Sequence, residues 1–138
     1  MTISGASLAG HLPLRQILAA GLAHGPDADA ITSAEGRMSW RELDTSSTRL
    51  AGNWIGLGLK RGDRVASLMP NRIALVVHYL ACFKAGLVAT PLNYRYMAPE
   101  IDHALELSGA SLLIAHRERQ SDLAATRLVD HLPLGVIW

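Results

Sequence analysis

The first forty residues carry two kinds of apolar pattern. Between residues 12 and 23, leucine and isoleucine recur at three- and four-residue steps, which predicts a helix that a glycine-proline pair ends. A short apolar run follows at 28–32, and the polar turn Glu35-Gly36 separates it from a second short run. This spacing predicts a small β-hairpin.

A longer helix is predicted after the hairpin. Ser39 is followed three residues later by Glu42, the spacing of a capping box, in which each side chain bonds the backbone amide of the other residue. The helical pattern continues to about Leu57 and is predicted to bury Trp54. Gly58 can supply the left-handed turn that ends a helix.

From residue 64 onward, the pattern alternates between strands and helices with short connections. The predicted elements are a strand at 64–68, a helix at 72–85 capped by Asn71, a strand at 87–90, a helix from Ala98-Pro99-Glu100 to Gly109, a strand at 111–115, a mostly helical segment at 117–130 and the start of a strand at 135–138. Such an order indicates parallel strands joined by right-handed crossovers. We therefore predict an α/β fold, with three α/β/α layers, a mainly parallel sheet and the small N-terminal hairpin.

Two of these helices give specific predictions about burial. The helix at 72–85 is apolar on nearly every side, so other elements have to cover more than one of its faces. Its one histidine, His78, is predicted to be hydrogen-bonded within a core. In the following helix, Ile101, Leu105 and Leu107 are predicted to face the core.

Composition and charge narrow the classes of function. Apolar residues make up 49% of the 138 positions and charged residues 18%, which suits a folded domain. The net charge of +1 gives no reason to expect binding to nucleic acid or to an anionic membrane. His78 and Lys84 interrupt the longest apolar run, which argues against a membrane span. The single cysteine, Cys82, and an N-terminus without a signal-peptide pattern favour a cytoplasmic location.

No catalytic motif is recognisable from residue types and spacing. The six histidines share no metal-ligand spacing. A phosphate-binding loop rich in glycine and serine and a Gly-x-Ser-x-Gly elbow are both missing from the sequence. Judged by its own residues, the chain is a scaffold without a visible catalytic apparatus.

Several segments, in their order and spacing, resemble one enzyme family. Residues 38–43, Met-Ser-Trp-Arg-Glu-Leu, are similar to the Thr-Tyr-x-Glu-Leu opening of adenylate-forming acyl-CoA synthetases. Residues 51–66 include the Gly-Asp-Arg-Val-Ala of that family, and 69–71 resemble its Leu-Pro-Asn. Residues 85–93 match its Ala-Gly-x-x-x-x-Pro-Leu-Asn. The similarity covers about residues 12–138.

The resemblance implies a function that the chain alone does not complete. Enzymes of this family use ATP and Mg²⁺ to convert a carboxylic acid to an acyl-adenylate, and then transfer the acyl group to coenzyme A. Their phosphate loop and catalytic lysine lie beyond the region matched here. We therefore expect an N-terminal tail at 1–11 and, at 12–138, an N-terminal α/β subdomain truncated before the phosphate loop. The remainder of the ligase is its expected partner, and no cofactor is expected in this fragment.

One ligand contact is implied within the chain. In some acyl- and aryl-CoA ligases, the arginine of Pro-Leu-Asn-x-Arg lies near the phosphates of coenzyme A, and Arg95 matches it. The alternative is a surface arginine that simply follows a strand.

For the whole chain, the alternative is a stand-alone, non-catalytic α/β module that binds a partner. If covering elements are missing, exposed apolar surface should lead to self-association.

Overall fold

The structure, a computed structural model, describes residues 13–138. The predicted tail at 1–11 and the first residue of the predicted first helix lie outside the described residues. The α-helices are α1 (Ala19–His24), α2 (Trp40–Gly56), α3 (Ile73–Ala85), α4 (Ala98–Ser108) and α5 (Gln120–Ala124). The strands are β1 (Asp29–Ser33), β2 (Gly36–Ser39), β3 (Arg64–Leu68), β4 (Val88–Pro91), β5 (Leu112–Ala115) and β6 (Val136–Ile137). Short 3-10 turns occur at Leu14–Gln16, Arg117–Arg119 and Val129–His131.

The strands form two sheets. β1 and β2 pair antiparallel as the predicted hairpin. The other four strands form a parallel sheet in the order β4-β3-β5-β6. β3 lies between β4 and β5 in the sheet, so the connection from β4 to β5, which contains α4, passes over β3. Parallel strands joined in this way by helices are what the alternating pattern predicts.

Helices cover both faces of the parallel sheet. Val65 and Leu112 pack in one cluster with Trp54 of α2 and Ala81 of α3. Alternate strand residues point the other way, so Ala66, Leu68 and Leu113 pack in a second cluster with Ile101 of α4 and Leu123 of α5. The three-layer α/β/α prediction is therefore confirmed.

The capping box at the start of α2 is present. The Ser39 hydroxyl accepts a hydrogen bond from the Glu42 amide at 3.2 Å, and the Glu42 carboxylate accepts one from the Ser39 amide at 2.8 Å. Two amides that a helix leaves without partners are satisfied in this way. Gly58, with a φ of 94°, lets the chain turn back after α2.

The start of α3 differs from the prediction. Arg72, not Asn71, is the N-cap residue, and no side chain caps the helix. Arg72 adopts an extended backbone while its guanidinium contacts Glu35 of the hairpin turn and Glu118. The helix therefore begins at Ile73.

The first predicted helix is wrong in extent. Instead of one helix over 12–23, a 3-10 turn at Leu14–Gln16 precedes the short α1. Leu18 is buried, but Leu14 and Ile17 are 60% and 51% exposed. With so little apolar burial, tertiary packing does not support a long helix here.

The segment at 117–130 is also less helical than predicted. α5 ends at Ala124, and the chain then turns because the buried Asp102 carboxylate accepts hydrogen bonds from the amides of Arg127 and Leu128. The predicted burial of Leu107 is wrong as well, since this side chain is 79% exposed. Ile101 and Leu105 share one face of α4, four residues apart, and a residue two positions further on points away from it.

Candidate functional site

The described residues line an open hollow at the carboxyl ends of β3 and β4. Its volume is about 460 Å³. The carboxyl ends of parallel strands are the place where ligands bind in open α/β sheets. The lining residues are Ser67, Met69, Pro70, Asn71, Leu75, Tyr79, Pro91, Leu92, Asn93, Tyr94 and Arg95.

Local turn chemistry places Arg95 at this hollow. Pro91 is the last residue of β4, an edge strand, where the missing amide proton disturbs no ladder. The Asn93 side-chain oxygen then accepts a hydrogen bond from the Arg95 amide at 3.0 Å, which closes a tight turn. The Arg95 side chain is exposed, and no ion pair to it is found within residues 13–138. Its guanidinium is thus available to a phosphate.

Ser67 is among the residues that line the hollow, although its hydroxyl oxygen is buried. It belongs to β3 and is 1% exposed. Its hydroxyl finds no hydrogen-bond partner within the described part of the chain. A buried hydroxyl is normally paired, so this one stands out among the lining residues.

A group of charged and aromatic side chains adjoins the hollow. The Tyr94 hydroxyl donates a hydrogen bond to a carboxylate oxygen of Glu118 at 2.7 Å, and Arg72 lies 3.6 Å from the other oxygen. The Arg119 guanidinium lies 5.2 Å from the centre of the Tyr94 ring. The sequence analysis did not identify this group, because its members lie far apart in the chain.

Ionisation in this group follows from these contacts. The hydrogen bond from Tyr94 lowers the pKa of Glu118, burial opposes it, and the charges of His116 and Arg72 add to the lowering. The same hydrogen bond raises the pKa of Tyr94. Glu118 is therefore an ionised acceptor at neutral pH rather than an acid.

His78 is buried, but the prediction of a hydrogen bond to it is wrong. The residue is 0% exposed, and neither ring nitrogen has a partner among the described residues. Its ring meets that of Trp54 edge-on, with centroids 5.2 Å apart. Burial lowers the pKa of His78 to about 4, so the ring is neutral at pH 7. A ring that is fully buried cannot exchange a proton with a substrate, so His78 has no acid-base role in this structure.

The remaining reactive groups offer no chemistry. Cys82 is fully buried, and burial raises the pKa of its thiol to about 12. The thiol is therefore protonated at neutral pH and a poor nucleophile. In residues 13–138, no group of three or more histidine, cysteine or acidic residues can hold a metal ion. Of the ATP, Mg²⁺ and coenzyme A that the resemblance implies, the described side chains therefore suit a phosphate, at Arg95, and not a metal.

No helix among the described residues is long and apolar enough to cross a membrane.

Comparison with curated proteins gives relatives that include acyl-CoA ligases and a peptide synthetase, the phosphinothricin tripeptide synthetase PhsC of Streptomyces viridochromogenes, which is 32% identical over 78% of this chain and 10% of that protein. The chain is 42% identical to a feruloyl-CoA synthase from an Amycolatopsis species over 113 residues, which cover 80% of this chain and 23% of that protein. It is 37% identical over 82 residues to the long-chain-fatty-acid–CoA ligase FadD13 of Mycobacterium tuberculosis, covering 59% and 16% of the two chains. The chain thus spans about a quarter or less of the length of these relatives. The stand-alone module is not favoured by them.

The solved structures that resemble this chain include one with ATP bound and one of a fatty acyl CoA synthetase. ATP-bound MatB from Rhodopseudomonas palustris is 30% identical, with a TM-score of 0.76 over 90% of this chain and 24% of that one. A fatty acyl CoA synthetase of Mycobacterium tuberculosis is 28% identical, with a TM-score of 0.79 over 88% of this chain and 24% of that one. The family model described as AMP-binding enzyme matches residues 18–136. Together with the Met-Pro-Asn motif after β3 and the Pro-Leu-Asn motif at the end of β4, this match shows that the chain belongs to the AMP-binding enzyme family.

Proposed function

We propose that this chain is the N-terminal framework of a longer, ATP-dependent acid–CoA ligase that forms AMP. The observation that carries the proposal is the family match over residues 18–136 together with relatives that are acyl-CoA ligases. In this account, residues 12–138 form an α/β subdomain that ends before the phosphate loop. ATP and Mg²⁺ act on residues further along, in a cytoplasmic enzyme.

The direct test is an activity assay on the complete ligase. Purified enzyme is given ATP, Mg²⁺ and coenzyme A with a panel of carboxylic acids, and acyl-CoA and AMP are measured together. The panel includes ferulate and long-chain fatty acids, since the two relatives differ in this respect. Equal amounts of acyl-CoA and AMP with one class of acid support the proposal. If no acid in the panel gives AMP or a thioester, the proposal is refuted.

Within this function, Arg95 contacts a phosphate of coenzyme A. Its exposed guanidinium at the rim of the hollow offers a fork of donors that can bond two phosphate oxygens at once. Arg95→Ala in the complete ligase should raise the KM for coenzyme A while leaving the adenylation half-reaction unchanged. Arg117→Ala is a matched control, because Arg117 is also exposed but does not line the hollow. An unchanged KM for coenzyme A would leave Arg95 as a surface arginine.

The isolated chain is inactive and self-associates. Adenylation needs cations and donors around the polyphosphate where charge develops. The 138-residue chain supplies Arg95 at its hollow but, in the described part, no metal-binding cluster.

Large apolar side chains on its surface, such as Leu107, Leu14 and Met97, favour contact between copies. Light scattering should show a mass that rises with concentration, and a constant monomer mass would argue against this association.

A further inference from the structure

Arg95 lies in a short segment that residues of a distant turn hold in place. On one side of Arg95, the carbonyl of Tyr96 accepts a hydrogen bond from the Arg119 guanidinium. On the other side, the same guanidinium lies 5.2 Å from the centre of the Tyr94 ring. The Tyr94 hydroxyl also donates a hydrogen bond to Glu118 at 2.7 Å. One arginine therefore contacts both chain neighbours of Arg95.

The side chain of Arg119 is itself fixed. It is 13% exposed and pairs with Asp122 of α5, which is 22% exposed, at a distance of 3.2 Å. A guanidinium that leaves water has to be paired, and its planar fork can bond a carbonyl and a carboxylate while one face lies against a ring. Arg119 makes all three of these contacts. It therefore offers the segment around Arg95 a rigid point of attachment.

The turn that carries Arg95 has few other polar contacts to the rest of the fold. The Asn93 side chain and carbonyl accept hydrogen bonds from the amides of Arg95 and Tyr96, each at 3.0 Å, and both bonds lie within the turn. They give the turn its shape but do not fix its position against the sheet. Among the described residues, the polar contacts that join 93–96 to another element are those with Glu118 and Arg119.

We propose that Arg119 is a positioning residue, which holds the segment 94–96 so that the Arg95 guanidinium faces a phosphate. This role rests on the proposed contact of Arg95 with coenzyme A. Arg119 does not line the hollow and acts through Arg95. A group that binds a ligand has to be held within about 0.5 Å of its productive position, and an exposed arginine on a loop needs support to meet that limit.

The kinetic test uses Arg119→Met in the complete ligase, because methionine keeps an unbranched stem and loses every donor. The KM for coenzyme A should rise by about 3- to 10-fold, which is less than the loss of a whole charge-assisted hydrogen bond, since the Arg95 guanidinium is displaced rather than removed. The KM for ATP and the rate of adenylation should stay unchanged. In an Arg95→Ala background, Arg119→Met should add no further rise.

Hydrogen exchange of the complete ligase, measured by mass spectrometry, reports the order of the segment independently of catalysis. Arg119→Met should reduce the protection of the peptide that covers 93–97 and leave that of α2 unchanged. Arg119→Lys keeps the charge beside Tyr94 and Asp122, so its KM for coenzyme A and its protection should lie between those of the wild type and Arg119→Met. Arg117→Met is the matched control, because Arg117 is an exposed arginine of the same 3-10 turn. It should change neither quantity.

The outcomes separate this role from the contact on which it rests. Lower protection of 93–97 together with a higher KM for coenzyme A in Arg119→Met supports the positioning role. Unchanged protection overturns it, and so does an unchanged KM in Arg119→Met when Arg95→Ala raises that KM. Equal losses of adenylation and of thioester formation also overturn it, because a role confined to folding would lower both. If Arg95→Ala has no effect, the contact with coenzyme A itself fails, and the exchange data alone decide whether Arg119 holds the segment.

Discussion

Replacing Asp102 with alanine should destabilise the chain through the turn after α5. Asp102 is 7% exposed, and its carboxylate accepts hydrogen bonds from the Arg127 amide at 3.0 Å to each oxygen and from the Leu128 amide at 2.9 Å. The carboxylate thus fixes the chain between α5 and the 3-10 turn at Val129–His131 from a helix 25 residues earlier. Arg127 itself is 90% exposed, so its ion pair with Asp102 adds little.

The size of the effect follows from these bonds. A hydrogen bond to a charged group contributes about 1.5–3 kcal/mol, and two amides lose such a partner. The turn lies near the surface and can open to water, which recovers part of the loss. We expect Asp102→Ala to lower the free energy of unfolding by about 2–4 kcal/mol, and Asp102→Asn, which keeps one acceptor oxygen, by about half as much.

The pH dependence gives an independent check. Burial raises the pKa of Asp102, but the amides of Leu128 and Arg127 and the Arg127 charge outweigh it, so the pKa lies below the ordinary 3.8. A carboxyl whose folded pKa is depressed stabilises the fold above its unfolded pKa. That stability is lost as the pH falls below about 3.8 through the folded pKa. Asp102→Ala should remove this part of the acid sensitivity.

The assay is urea unfolding at pH 7 and at a series of acidic pH values, followed by circular dichroism. Glu106→Ala is the control, because Glu106 is an exposed carboxyl on the same helix. It should change the stability by less than about 0.5 kcal/mol. If Asp102→Ala also stays within that limit at pH 7, the carboxylate does not hold the turn and the reasoning fails.

Two further predictions concern α3 and the first helices. Because burial lowers the pKa of His78 from 6.5 to about 4, the unfolded chain binds a proton that the folded chain does not between these values. Stability should fall by roughly 1.4 kcal/mol per pH unit from pH 6.5 to about 4. His78→Leu should lose that slope in the same unfolding assay, and an identical slope in both proteins would contradict a neutral buried ring. Separately, a Cβ on Gly21 would overlap the ring of Trp40, whereas one on Gly52 in the middle of α2 meets nothing within 4 Å. Thermal melts should show Gly21→Ala less stable by about 1–3 kcal/mol and Gly52→Ala more stable by about 0.5–1 kcal/mol. Equal shifts would show that α1 does not pack on Trp40.

The features that the sequence predicted well are local ones. The capping box at Ser39 and Glu42 needs only two residues three apart, and the structure has both of its bonds. The parallel sheet followed from apolar runs separated by turn residues, since a buried strand and a covering helix each show a distinct period. The hairpin and the glycine turn after α2 are equally local.

The features that the sequence analysis missed depend on distant partners. Nothing near Asp102 in sequence indicates that it bonds amides 25 and 26 residues away. Tyr94 and Glu118 are 24 residues apart, and only the fold brings them together. His78 was expected to form a hydrogen bond, yet its ring packs near the rings of Trp54 and Tyr79, and neither ring nitrogen has a partner among the described residues. For the candidate site, the motif around Asn93 located Arg95, whereas the unpaired hydroxyl of Ser67 is visible only in three dimensions.

The central claim is that these residues support an acid-activating ligase whose reactive groups lie elsewhere. ATP–pyrophosphate exchange with the acid that the complete ligase uses tests it most directly, run side by side on the complete enzyme and on the 138-residue chain at equal molar concentration. The account predicts exchange by the complete enzyme and none above background by the chain. Exchange by the chain at a comparable rate would mean that it contains its own adenylation site, and would contradict the account.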